Sequence, residues 1–173
     1  MAGKRIHRDI SVQAAPVAST TSAAPSTPTT SSPSADNSQN RAGNYGQISD
    51  SDAQQLLSLV NDARAQNGLG ALTMDTGLVA AALAQCNYQN SINTMTHDNS
   101  NYSGLLDRFA ASGATCNGGC AENVAQGASS STDAFNMWMN SPGHRANILG
   151  SSYTRMGYAS VNGFWTQTFN GQT

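Results

Sequence analysis

The sequence predicts an α/β sandwich with a small, largely antiparallel sheet. Three observations lead there. Helical periodicity recurs in four stretches between residues 51 and 141. Two segments rich in aromatic and β-branched residues, 155–161 and 163–169, lie near the end of the chain. Asn162-Gly163 joins them, a pair that accepts the left-handed backbone of a two-residue hairpin turn.

Each helix has its own signals. Ser51-Asp-Ala-Gln54 has the form of a capping box, and Leu56, Leu57, Val60 and Ala63 follow at helical spacing. Gly68 is the expected stop. A second helix starts near Asp75 and carries Leu78, Val79, Ala82, Leu83 and Cys86 on one face. A third, shorter one covers 104–112, with Leu105, Leu106 and Phe109 as its stripe and Gly113 at its end. A fourth starts at Ser131 or Thr132, carries Phe135, Trp138 and Met139, and ends at Pro142. Segment 121–125 reads as a short strand leading to a turn at Gly127. Trp138, Trp165, Phe135 and Phe169 are expected in the core. No internal repeat is present.

Composition divides the 173-residue chain near residue 48. Within 11–40, thirteen residues are Ser or Thr and four are Pro. Such a stretch has too little apolar surface to offset the entropy of ordering it. Residues 1–48 are therefore assigned to a disordered tail or linker, and 49–173 to one folded domain. The domain carries Arg64, Arg108, Arg145 and Arg155 against seven aspartates and Glu122, a balance of minus four. The basic residues form no cluster, which argues against nucleic acid as a partner. No apolar run approaches the roughly 18 residues of a transmembrane helix. The first ten residues lack the apolar centre of a signal peptide, although Lys4-Arg5 has the form of a dibasic processing site.

Cysteine usage leaves alternatives open. Cys116 and Cys120 flank a Gly-Gly turn that a disulfide would close, and Cys86 can pair with either. A disulfide fits an oxidising compartment. Asn101-Tyr-Ser103 is the only N-glycosylation sequon, and it matters if the chain is exported.

Three residues stand out as candidate chemistry. His97 follows the second helix, Glu122 is the only glutamate, and His144 follows Ser141-Pro142-Gly143, read as a sharp turn. Two imidazoles and a carboxylate suit either a divalent-metal site with an open position or an acid/base group. The competing assignment makes the histidines hydrogen-bonded packing residues and Glu122 a cap or an ion-pair partner of Arg145 or Arg108.

Seven short pieces then occur in a recognisable order. They are Val60 to Arg64, Leu72 to Asp75, Met95-Thr-His97, Ala121 to Gly127, Trp138 to Leu149, Met156-Gly-Tyr158 and Trp165 to Phe169. Together they resemble the superfamily of cysteine-rich secretory proteins, antigen 5 and pathogenesis-related 1 proteins, the CAP or SCP domain. The compact segment 138–149 resembles its bacterial-type branch, which also occurs in fungi. The resemblance implies a three-layer α-β-α sandwich, secretion, and a cleft bearing two histidines and two acids that in some members holds a divalent metal. By motif position His97 and His144 are the histidines and Glu122 the first acid. Ser141, preceded by Asn140, stands where the second acid is expected.

That departure has consequences. A neutral hydroxyl replaces a carboxylate, so any zinc or magnesium at His97, Glu122 and His144 is expected to bind weakly. Sterol-binding relatives resemble one another in a longer aromatic loop before the second histidine, and here Ser141-Pro142-Gly143 is the whole connection. Lipid would then need the space between helices beside Ala80, Ala81, Ala82 and Ala84. No G-x-S-x-G nucleophile motif is present. The expectation is a secreted, monomeric, non-enzymatic binding module for a small ligand, lipid or host or cell-wall component, with no required cofactor. The alternative is a metal-assisted hydrolase or peptidase using His97, Glu122 and His144.

Overall fold

The structure is a computed structural model, and it describes residues 43–171. Most of the assigned tail therefore lies outside the described residues, as does the Lys4-Arg5 pair. Residues 43–48, assigned to the tail, are part of the fold. Tyr45 is 3% exposed, and Gly46 forms a parallel bridge to Ser160.

Helix α1 spans Asp50–Gln66. Its cap is Ser49 and not Ser51: the Ser49 hydroxyl accepts from Asp52 N–H at 3.1 Å. Starting there puts Asp50 and Asp52 in the first turn, where the helix dipole favours negative charge. At the other end Gly68 adopts φ +70, and Leu69 N–H reaches back to Arg64 O, closing the helix as a Schellman motif. Buried Arg64 then donates to Gly70, Ile148, Gly150 and Tyr153 carbonyls, fastening α1 to the segment after residue 147.

A two-residue strand β1, Thr73–Met74, follows. Asp75 caps α2 (Thr76–Ile92), its carboxylate accepting from Leu78 N–H at 2.9 Å. Next come α3 (Leu105–Ala111), β2 (Cys120–Gln126) and α4 (Ser131–Met139). The sharp turn expected at Ser141-Pro142-Gly143 is instead a helix start. Pro142 opens α5 (Pro142–Ile148), and Ser141 before it is extended at φ −100, ψ 118. Proline lacks the N–H that a first helical position does not use, so it stops α4 and begins α5.

Strands β3 (Arg155–Val161) and β4 (Phe164–Asn170) form the expected hairpin. Asn162 and Gly163 at its tip have φ of 48° and 80°, the mirror-image turn that matches strand twist. The sheet order is β1-β3-β4-β2. β3, β4 and β2 are antiparallel neighbours, with Gly157 opposite Thr168 and Glu122 opposite Thr168 on the other side, while β1 runs parallel to β3.

Helices cover both faces of the sheet, giving the three-layer α-β-α sandwich. On one face Leu56 and Val60 of α1, Trp138 of α4 and Ile148 of α5 pack against Tyr158, Trp165 and Phe169. Phe135 packs at the border of this core. The Tyr158 hydroxyl accepts from Ser131 and donates to Asp52 O, and burial raises its pKa well above the ordinary range.

On the opposite face α2 lies directly on the sheet. Gly157 permits this, since a β-carbon there would fall 2.2 Å from Val79 N. Leu78 and Ala81 pack with Phe109 and Ala114, and Ala82 and Cys86 with Ala159. Ala81 and Ala82 are completely buried, so these alanines serve close helix packing. Among the described residues no helix is long and apolar enough to cross a membrane.

Candidate functional site

Strand alternation decides where Glu122 points. Its neighbours Ala121 and Asn123 face the α1, α4 and α5 layer, so Glu122 faces α2 and α3. Its side chain is 3% exposed. Both carboxylate oxygens are occupied. Oε2 accepts from Arg108 Nη2 of α3, and Oε1 accepts from His97 Nδ1 at 3.0 Å. Of the two arginines considered as partners for Glu122, Arg108 is the one, and Arg145 is exposed on α5.

Buried polar groups behind Arg108 and His97 set this arrangement. Arg108 is 1% exposed and also donates to Gln85 Oε1. Gln85 is completely buried on α2. Its amide donates to Thr96 O at 2.6 Å and Asp98 O at 3.2 Å, and its oxygen accepts from Asn99 Nδ2 at 3.2 Å. Those bonds hold the loop that carries His97. The His97 side chain is 58% exposed, and with Nδ1 committed to Glu122 its Nε2 is the atom left to a ligand.

His144 enters from the first turn of α5. Asn123 Nδ2 donates to His144 O at 3.1 Å, and Asn147 Nδ2 donates to Asn123 Oδ1 at 2.8 Å, fastening α5 to β2. The two imidazoles are shifted in opposite directions. The hydrogen bond to Glu122 raises the His97 pKa against the opposing effect of burial. Burial lowers that of His144, and the nearby charge of His97 adds to it. The two rings are thus set to titrate apart.

Ser141 is half-buried at the N-cap position of α5, and its side chain makes no capping bond. Nothing joins it to His97 or Glu122 among the described residues. The three expected metal ligands do not make a ligand set either. Among the described residues no three His, Cys, Asp or Glu side chains converge to hold an ion, and Glu122 has given its oxygens to Arg108 and His97.

Of the three possible cysteine pairings, Cys116–Cys120 is the one formed, with S–S 2.09 Å. Both sulfurs sit against Leu78, Phe109 and Ala114. The bridge closes the loop between α3, which carries Arg108, and the start of β2, which carries Glu122. Cys86 is free and buried, its Sγ 3.3 Å from Ala159 O and from Thr166 Oγ1, and burial pushes its thiol up to about 12. Asn101 of the sequon is exposed.

Beside His97 lies a groove of about 430 Å³, lined among others by Tyr88, Asp98, Ser100, Tyr102 and Leu105. Tyr88, Tyr102 and Gln85 were not singled out from sequence. The signal available for Gln85 was a polar residue on the buried face of α2, between Ala82 and Gln89.

Comparison with known proteins agrees with this architecture. The model of the cysteine-rich secretory protein family, CAP, matches residues 57–169. An uncharacterised Bacillus subtilis protein, YkwD, is 31% identical over 119 residues, which are 68% of this chain and 46% of that protein. An extracellular protein containing an SCP domain from Bacillus anthracis superposes with a TM-score of 0.68 at 28% identity, covering 73% of this chain and 42% of that one. An outer surface protein from Borrelia burgdorferi shares the fold, with a TM-score of 0.64 at 20% identity and coverage of 73% and 97%. The chain spans less than half the length of the curated relatives it matches, 46% of one and 33% of another.

Proposed function

The chain belongs to the cysteine-rich secretory protein (CAP) family, in its bacterial-type form, and on that premise we propose that it is a secreted, non-enzymatic binding module. The residues that would serve recognition are His97, oriented by buried Glu122, and His144. Export is supported by the similarity to an extracellular protein of Bacillus anthracis and by the Cys116–Cys120 disulfide.

One observation carries the binding assignment. Glu122 is the single glutamate, and its oxygens are held by buried Arg108 and by His97. With both oxygens engaged by donors, the carboxylate has no open position toward a substrate. It orients His97 instead, and His97 offers Nε2 outward as a fixed recognition atom.

The test is binding of polysaccharide and lipid panels to wild type and to Glu122→Gln. The expected result is saturable binding to one class, weakened in the variant. The assignment is overturned by turnover of a peptide library that needs zinc, magnesium or calcium and disappears with chelator and in His144→Ala.

A further inference from the structure

The groove beside His97 has four properties that belong together. Tyr88 and Tyr102 supply two half-buried aromatic rings. The hydroxyls of Tyr88, Ser100, Tyr102 and Ser103 and the carboxylate of Asp98 have no hydrogen-bond partner among the described residues. No lysine or arginine lines it. Its floor is also fixed. Buried Gln85 holds Thr96, Asp98 and Asn99, Asn99 Oδ1 accepts from Asn101 N–H, and Ser103 N–H donates to Asp107.

We propose that this groove is a subsite for a neutral pyranose unit of a glycan. The proposal rests on the assignment of the chain as a binding module and names a ligand class for it. A pyranose presents an apolar C–H face and a rim of hydroxyls. The tyrosine rings match the first, and their amphipathic tips match the second. Five unpaired polar groups on one surface are costly to cover with anything that cannot bond to them, which disfavours an acyl chain. His97 is the one lining group able to carry positive charge and it faces Asp98, with no lysine or arginine beside them, which disfavours a phosphorylated or sulfated ligand. The groove volume of about 430 Å³ falls in the range of roughly 300–1,000 Å³ typical of small-ligand sites. Because the loop is already braced by Gln85, little ordering entropy is lost on binding.

The experiment is a titration of isotope-labelled full chain with cellotetraose and chitotetraose, followed by amide chemical shifts. A sulfated heparin tetrasaccharide and a short-chain phosphatidylcholine are run alongside. The expected result is saturable shifts within residues 97–105 for a neutral tetrasaccharide. Tyr88→Ala and Tyr102→Ala should each weaken it roughly tenfold or more, as loss of an aromatic anchor does. Tyr88→Phe should keep most of the affinity, and thermal melting confirms that each variant folds. The proposal is overturned if neither neutral tetrasaccharide moves those amides, if only the sulfated or lipid probe does, or if both alanine variants bind as wild type. Glycan binding lost in Glu122→Gln but intact in both tyrosine variants overturns the groove while leaving the binding-module assignment standing. Binding of no probe in any class removes both.

Discussion

Arg108 and Glu122 form an ion pair between α3 and β2 in which the two side chains are 1% and 3% exposed. It joins elements separated by the disulfide-bridged loop, and its free carboxylate oxygen receives His97.

Removing one member of such a pair strands the other. Arg108→Met should destabilise the domain by about 3–5 kcal/mol, because the Glu122 charge is left buried without a partner. The double variant Arg108→Met, Glu122→Gln should recover most of that loss. Urea unfolding checks both, and a cost under about 1 kcal/mol for Arg108→Met would contradict the pairing.

The histidines should titrate apart. His97 has its folded pKa raised, so its contribution to stability is present at low pH and is lost as pH rises through the folded value. His144 has its folded pKa lowered, so its contribution is present at higher pH and is lost as pH falls through the folded value. Histidine NMR titration should place His97 above and His144 below the ordinary imidazole value. In Glu122→Gln the His97 shift should largely vanish. Equal pKa values in the wild type would refute the assigned geometry.

The disulfide closes a short loop, so it contributes modestly. Replacing Cys116 and Cys120 together by serine should cost about 2 kcal/mol by the loop-entropy relation. In the oxidised native protein no thiol should react with an alkylating reagent at neutral pH, and one should react after unfolding. The reason is that Cys86 is buried and its thiol is held up to about 12. Rapid native labelling of Cys86 would show that α2 opens locally.

Zinc binding should be weak. Glu122 is committed to Arg108 and His97, and Ser141 adds no carboxylate. Calorimetry should find an affinity no tighter than micromolar. Sub-micromolar binding abolished by His97→Ala would mean that Glu122 leaves Arg108 to ligate the ion.

Features with local causes were readable from the chain. The start of the second helix near Asp75, Gly68 as a stop and Asn162-Gly163 as a hairpin turn each depend on a few adjacent backbone dihedrals. α5 was missed because proline both ends a helix and favours the first position of another, and only the tertiary position of residues 142–148 decides between them. β1 was missed because two residues carry no periodicity, and its pairing partner Arg155 lies 82 positions beyond Thr73. In the site, His97 and Glu122 were recognisable by type and by family resemblance, but their contact is made by strand register and by loop bracing. Gln85 and Arg108, which create that contact, sit on otherwise apolar helix faces. Their hydrogen bonds exist only after α2, α3 and β2 have come together.

The sheet order also bears on what the protein does at high concentration. An open strand edge is a template for another chain. Here the outer side of β3 is met by β1 at one end and by Gly46 at the other. At the opposite border β2 is fastened to α5 through Asn123 and Asn147, and the Asn147 amide donates to Glu122 O at 3.4 Å. Both borders are thus partly occupied, which blunts the sheet edges against pairing with a second copy.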